Sequence, residues 1–125
     1  MKTLNELSKQ FHEKAKAKGF WDEPRETGTL LMLIVSELSE ALEADRKNKY
    51  AELSVFDARN EDRKNWADFS ADFQELIKDS FEDEIADTFI RLLDLVGYLG
   101  IDIDRHILLK MQYNQMREFK HGKKY

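Results

Sequence analysis

Leu4, Leu7, Phe11 and Ala15 recur at steps of three and four, the period that gathers side chains on one face of an α-helix. Thr3, with Glu6 three residues on, can form a capping box ahead of this face, and Gly19 follows it, so the pattern predicts a first helix between them. The stretch from Phe20 to Thr27 carries Pro24 and no period; it reads as a connection with Phe20 and Trp21 tucked against a neighbour. A second helix is expected from near Thr27 or Thr29. Leu30 to Val35 are apolar without a break, which implies opening turns buried on several sides. From 50 to 80 the chain is dense in Asp, Asn, Lys and Arg, with Phe56, Trp66, Phe69, Phe73, Leu76 and Ile77 as apolar anchors, and one or two short helices are expected there. Ser80 with Asp83 three residues on reads as a new cap, followed by a helical stripe of Ile85, Phe89, Leu92, Val96 and Leu99 that ends at Gly100. Asp104 reads as the cap of a last helix reaching about Phe119.

Helical spacing throughout, one proline and five glycines make the expected fold class all-α, without a sheet. At 125 residues the chain suits a single domain over 1–125. No internal repeat or low-complexity segment is present. The middle stretch reads as an insertion rather than a linker, and helices joined in this way suggest a bundle.

Composition narrows the chemistry. The absence of cysteine excludes disulfides, thiolate nucleophiles and cysteine-held zinc, so a metal would sit on oxygen or histidine. The longest apolar run, Leu30 to Val35, is far below the roughly 20 residues needed to cross a bilayer, and no membrane partner is expected. The first residues continue as a polar amphipathic stretch rather than an apolar signal core, which leaves a cytoplasmic location as the expectation. The formal charge of −5 argues against a general nucleic-acid surface. Its distribution says more: from Arg105 onward Arg105, Lys110, Arg117, Lys120, Lys123 and Lys124 face the single acid Glu118, while the acids gather upstream. An acidic body with a basic tail suits a metal together with a phosphate.

Glu37 and Glu40 stand three apart on the second helix, so they share a face. That face continues through Leu30, Leu33, Ile34, Ala41 and Ala44, which makes it an apolar one, and buried acids there require compensation. Glu84 and Asp87 repeat the arrangement on the later helix. If the two faces meet, four carboxylates converge and raise one another's pKa unless a cation lies between them. Mg²⁺ is the natural candidate, a hard ion that takes oxygen ligands and is usually shared with substrate phosphates, with Mn²⁺ as a substitute. Acids three apart also occur on ordinary solvated helices, and Glu43, Glu82, Asp83 and Asp94 read that way. Lys110, Asn114 and Arg117 fall on one face of the last helix, where a lysine and an arginine can grip phosphate oxygens; the plain alternative is a solvated basic tail. His12, His106 and His121 form no ligand cluster by spacing.

In these motifs the chain resembles the MazG-like all-α nucleoside triphosphate pyrophosphohydrolases. The Glu-x-x-Glu and Glu-x-x-Asp elements of that family match Glu37 with Glu40 and Glu84 with Asp87, and its Lys, Asn, Arg and His-Gly-Lys ending is similar to Lys110, Asn114, Arg117 and His121-Gly122-Lys123. The likeness covers about 28–44 and 80–125. The separation of Glu40 from Glu84 is longer than in compact members, which implies an inserted helical segment over about 46–79. The resemblance implies an antiparallel bundle of four main helices, assembly as a homodimer or homotetramer, and magnesium held by Glu37, Glu40, Glu84 and Asp87. It further implies hydrolysis of a nucleoside triphosphate to the monophosphate and pyrophosphate. One of the four acids would accept a proton from water, and Lys110, Asn114, Arg117 and Lys123 would hold phosphate. Trp21 and Trp66 are candidates to cover the base or, alternatively, to pack in the core.

Two other readings stay open. One keeps the site but narrows the substrate to dUTP or dCTP. The other is a non-catalytic helical oligomerisation module, in which the acids are solvated or paired with Arg91 and the basic tail. In either case the apolar turns Leu30 to Val35 predict a dimer.

Overall fold

The computed structural model of the protein describes residues 1–62, 65–117 and 124. Among them every regular element is helical: α1 (Leu4–Ala17), α2 (Thr27–Arg46), α3 (Leu53–Arg59), α4 (Trp66–Leu76), α5 (Phe81–Leu99) and α6 (Ile103–Gln115). The all-α class is therefore observed, and the short helices expected within 50–80 are α3 and α4. No helix among the described residues is long and apolar enough to cross a membrane. The chain forms two compact units, one of Met1–Glu23 with Leu93–Tyr125 and one of Pro24–Leu92.

In the first unit α1 starts where the capping pattern places it, with Thr3 Oγ1 accepting from the Glu6 backbone N–H at 3.1 Å. It ends at Gly19, whose φ of +88° lets the Phe20 N–H reach back to the Ala15 carbonyl at 3.1 Å, the left-handed stop that glycine allows. Asp104 is not the cap of its own helix. Asp102 takes that role by accepting from the Arg105 N–H at 3.1 Å. The Asp104 carboxylate accepts instead from the Leu4 and Asn5 N–H groups at the start of α1, at 3.1 and 3.2 Å. Asn5 returns the contact: its Oδ1 accepts from the Ile103 and Asp104 N–H groups, and its Nδ2 donates to Asp102. Free N–H groups at two helix starts are thus satisfied reciprocally across about a hundred residues of chain, a match that local spacing cannot show. Phe20 is 61% exposed, against the expectation that it is tucked in, while Trp21 stacks on Tyr98 with ring centroids 4.3 Å apart.

In the second unit Leu30, Ile34, Glu37, Ala41 and Ala44 form the buried seam of α2. The spacing of four, three, four and three puts them on one line along the helix. Leu31, Met32 and Val35 are 46%, 64% and 47% exposed, which corrects the expectation that the opening turns of α2 are buried on several sides: within one chain only one side is covered. The stripe expected on α5 is corrected in part: Val96 is buried and Ile85 half-buried, but Phe89, Leu92 and Leu99 are exposed, and Leu93 and Leu95, outside the stripe, are buried. Between these helices α3 packs on α4 through Phe56 and Phe69, 5.5 Å apart edge to face, and Arg59 reaches Asp72 and Glu75. The ends of the 46–79 segment meet. The Phe81 N–H donates to the Lys49 carbonyl at 2.9 Å, and Glu82 accepts from the Ala51 N–H.

Candidate metal centre

Ser80 is almost fully buried and opens α5: its Oγ accepts from the Asp83 N–H at 3.2 Å, and its carbonyl accepts from the Glu84 N–H. This start sets the rotation of the helix. Glu84 faces inward at 5% exposure, and Asp87 follows three residues later on the same side. On α2 Glu37 occupies the middle of the buried seam at 8% exposure, while Glu40 lies at the exposed margin. Glu37, Glu84 and Asp87 each offer an oxygen within 4.8 Å of the others'. Glu40 lies against Glu84 closely enough to share a hydrogen bond. The two sequence pairs are thus brought together from separate helices.

Their electrostatics follow from that crowding. Burial, then the hydrogen-bonding contacts and charges of Glu40 and Glu37, push the Glu84 carboxyl up to about 8. Burial also raises Asp87, with the charges of Asp83 and Glu37 adding to it and Arg91 opposing. Arg91 offsets part of the charge, its Nε donating to Glu37 Oε1 at 2.9 Å. Glu84 Oε2 is buried and, among the described residues, no N–H or hydroxyl donor reaches it, its neighbours being the other carboxylates. A buried acceptor in that condition costs free energy, and among a set of carboxylates it is the arrangement a hard divalent cation would satisfy. The donors are all oxygen, so they suit Mg²⁺, Mn²⁺ or Ca²⁺ rather than a soft metal.

The remaining expected site residues fall as follows. Lys110 and Asn114 lie on α6 and Arg117 just beyond it, all in the first unit, where the Lys110 Nζ and the Arg117 guanidinium sit 5.2 and 5.4 Å from the Tyr113 ring centroid. Lys123, like the rest of the His121-Gly122-Lys123 motif, lies outside the described residues. Trp21 donates its ring N–H to Asp94, which also pairs with His12 Nδ1 at 2.8 Å. Asp94 is therefore engaged rather than merely solvated. Trp66 is 77% exposed beside Phe69.

Three neighbours of the acids were given no place in the site by the sequence pattern. Arg91 entered only as an alternative partner, although its position four after Asp87 places it on the same face. Asp83 and Asp79, four and eight before Asp87, share that phase as well, but a helix that begins only at Phe81 gave Asp79 no face to be assigned to. No family model, curated protein or solved structure compared with the chain matches it.

Proposed function

We propose that this chain is a MazG-like, magnesium-dependent nucleoside triphosphate pyrophosphohydrolase. The observation that carries the reading is the buried, unsatisfied Glu84 Oε2 set among Glu37, Glu40 and Asp87 from two helices. Magnesium, or manganese in its place, would supply neutralisation of the triphosphate and a more acidic water. Glu37, Glu84 and Asp87 hold the ion through hard oxygens, and the exposed Glu40 completes the set and takes the proton of the attacking water. Water adds to the α-phosphorus, the bond to the oxygen bridging to the β-phosphate breaks, and pyrophosphate leaves with that electron pair. Lys110, Asn114, Arg117 and Lys123 steady the departing charge, and Trp21 and Trp66 offer rings for the base. In this reading α1, α2, α5 and α6 form the antiparallel four-helix bundle, 46–79 is the insertion, and the assembly is a homodimer or homotetramer.

The protein with Mg²⁺ and a panel of nucleoside triphosphates is expected to release pyrophosphate, and Glu40→Gln to lose at least about a hundredfold in rate, within the range general acid–base groups contribute, while staying folded by circular dichroism. Preference for dUTP or dCTP within the panel narrows the substrate. A second reading, a non-catalytic oligomerisation module, is favoured by the Arg91–Glu37 ion pair and by the exposed Leu31, Val35, Leu38 and Leu42. Failure to cleave any triphosphate with any divalent ion decides for it.

A further inference from the structure

Glu84, Asp87 and Arg91 follow one another along α5 at steps of three and four, so the arginine stands on the same side of the helix as the two acids, one turn beyond Asp87. Its guanidinium closes on the acid from α2. Nε donates to Glu37 Oε1 at 2.9 Å, and an oxygen of Glu37 lies within 4.8 Å of oxygens of both Glu84 and Asp87. Arg91 is thus a basic side chain that the unit of Pro24–Leu92 itself sets against the candidate metal centre, whereas Lys110, Asn114 and Arg117 belong to the other unit.

The way the arginine is held matters. A guanidinium that only neutralises a carboxylate is best served by its fork, two parallel N–H···O bonds to the two oxygens. Arg91 uses Nε alone. Among the described residues neither of its Nη groups has a hydrogen-bond partner, and the side chain stays 45% exposed. One edge of a planar, permanently charged group is therefore anchored, and the edge that carries the remaining N–H donors is left unengaged. Anchoring Nε also removes part of the ordering cost that a loose side chain incurs when it binds. A triphosphate carries more negative charge than one divalent ion offsets, so its oxygens still call for donors of this kind.

We propose that Arg91 is a catalytic residue that grips the polyphosphate chain: with Nε anchored on Glu37, its Nη groups donate to non-bridging oxygens of the triphosphate and strengthen those bonds as negative charge gathers on the departing pyrophosphate. The proposal rests on the hydrolysis reading for the reaction. It gives to the unit that holds the four acids a share of the anion binding which that reading assigns to Lys110, Asn114, Arg117 and Lys123. A lysine at position 91 lacks both the anchor at Nε and the planar pair of donors, so charge alone does not replace the arginine.

The test compares wild type, Arg91→Lys and Arg91→Ala as full chains, each checked for folding by circular dichroism. Calorimetry gives the affinity for Mn²⁺ and for inorganic tripolyphosphate in the presence of Mn²⁺, and an assay follows pyrophosphate release from a nucleoside triphosphate. Arg91→Ala is expected to bind Mn²⁺ at least as tightly as wild type, since a competing positive charge is gone. It is expected to bind tripolyphosphate at least about tenfold more weakly and to lose about a hundredfold or more in kcat/KM, part of which added guanidinium ion restores. Arg91→Lys is expected to stay within about tenfold of Arg91→Ala, because the anchored fork is missing in both. Mn²⁺ affinity that falls together with activity, with no return on adding guanidinium ion, makes Arg91 a support for Glu37 alone and overturns the proposal. Unchanged cleavage by Arg91→Ala overturns it and leaves the hydrolysis reading standing. Tripolyphosphate binding that depends on Arg91, without cleavage of any nucleotide, keeps the anion grip and overturns the hydrolysis reading. A wild type that neither binds nor cleaves overturns both.

Discussion

At the residue scale Glu84 dominates, because one side chain combines burial, like-charged neighbours and an unsatisfied oxygen. Its carboxyl is pushed from 4.5 to about 8, so between those values the folded chain keeps a proton that the unfolded chain has released. Stability of the cation-free protein therefore falls as the pH rises through that window. A thermal midpoint in EDTA that drops between about pH 5 and about pH 8, with Mg²⁺ restoring more at the upper value, is the expected result; a midpoint rising over that interval would contradict it. Glu84→Gln removes the charge while keeping the shape, and its amide can donate to Glu37 or Glu40. At about pH 8 the cation-free variant is expected to be more stable than wild type by about 1–3 kcal/mol, the usual cost of a buried polar group without a partner. The same denaturation experiment in Mg²⁺ should show no gain for the variant. The pairing of Glu84 with Asp87 was legible because three residues on a helix return to the same face; the orphaned oxygen was not, since it depends on what α2 presents opposite.

At the element scale the reciprocal capping of α1 and α6 can be measured directly. Asn5→Ala removes the acceptor for the Ile103 and Asp104 N–H groups, and Asp104→Ala removes the acceptor for those of Leu4 and Asn5. Each is expected to cost about 1–2 kcal/mol in urea unfolding, and the double variant should depart from additivity because the residues share one network. Gly97 is held by contact: a Cβ there would lie 2.6 Å from the Ser8 carbonyl oxygen and 2.9 Å from His12 Cβ. Gly97→Ala should cost about 1–3 kcal/mol, whereas Gly28→Ala, which meets nothing within 4 Å in the first turn of α2, should stabilise by up to about 1 kcal/mol. Equal effects from the two would argue against close packing at Gly97. The start of α1 and the Gly19 stop follow from local rules that act within a turn. The role of Asp104 does not, because its partners stand at the other end of the chain.

For the whole molecule the question is what covers the apolar side chains that one chain leaves in water. Leu31, Val35, Leu38 and Leu42 are 46%, 47%, 47% and 50% exposed, and their spacing of four, three and four is that of a packed helical seam. On α6 Leu108, Met111 and Tyr113 are 60%, 54% and 57% exposed. Apolar surface of this kind is what the proposed homodimer or homotetramer would cover. Sedimentation at tens of micromolar is expected to give a dimer or tetramer, and Leu38→Glu with Leu42→Glu to give a folded monomer. A wild-type monomer at that concentration would remove the assembly from the proposal.

By itself the order of residues determined the helical class, both ends of α1 and of α5, and the placing of two acid pairs on faces that could meet. Those features follow from periodicity, capping and the reach of one helical turn. Only the tertiary structure decided which apolar face of α2 and of α5 is covered, that Asp104 caps α1, and that Glu84 joins acids on both sides of it. The reason is that an apolar stripe looks the same in sequence whether it meets the chain's own core or is left bare, and a carboxylate's surroundings are set by elements distant along the chain.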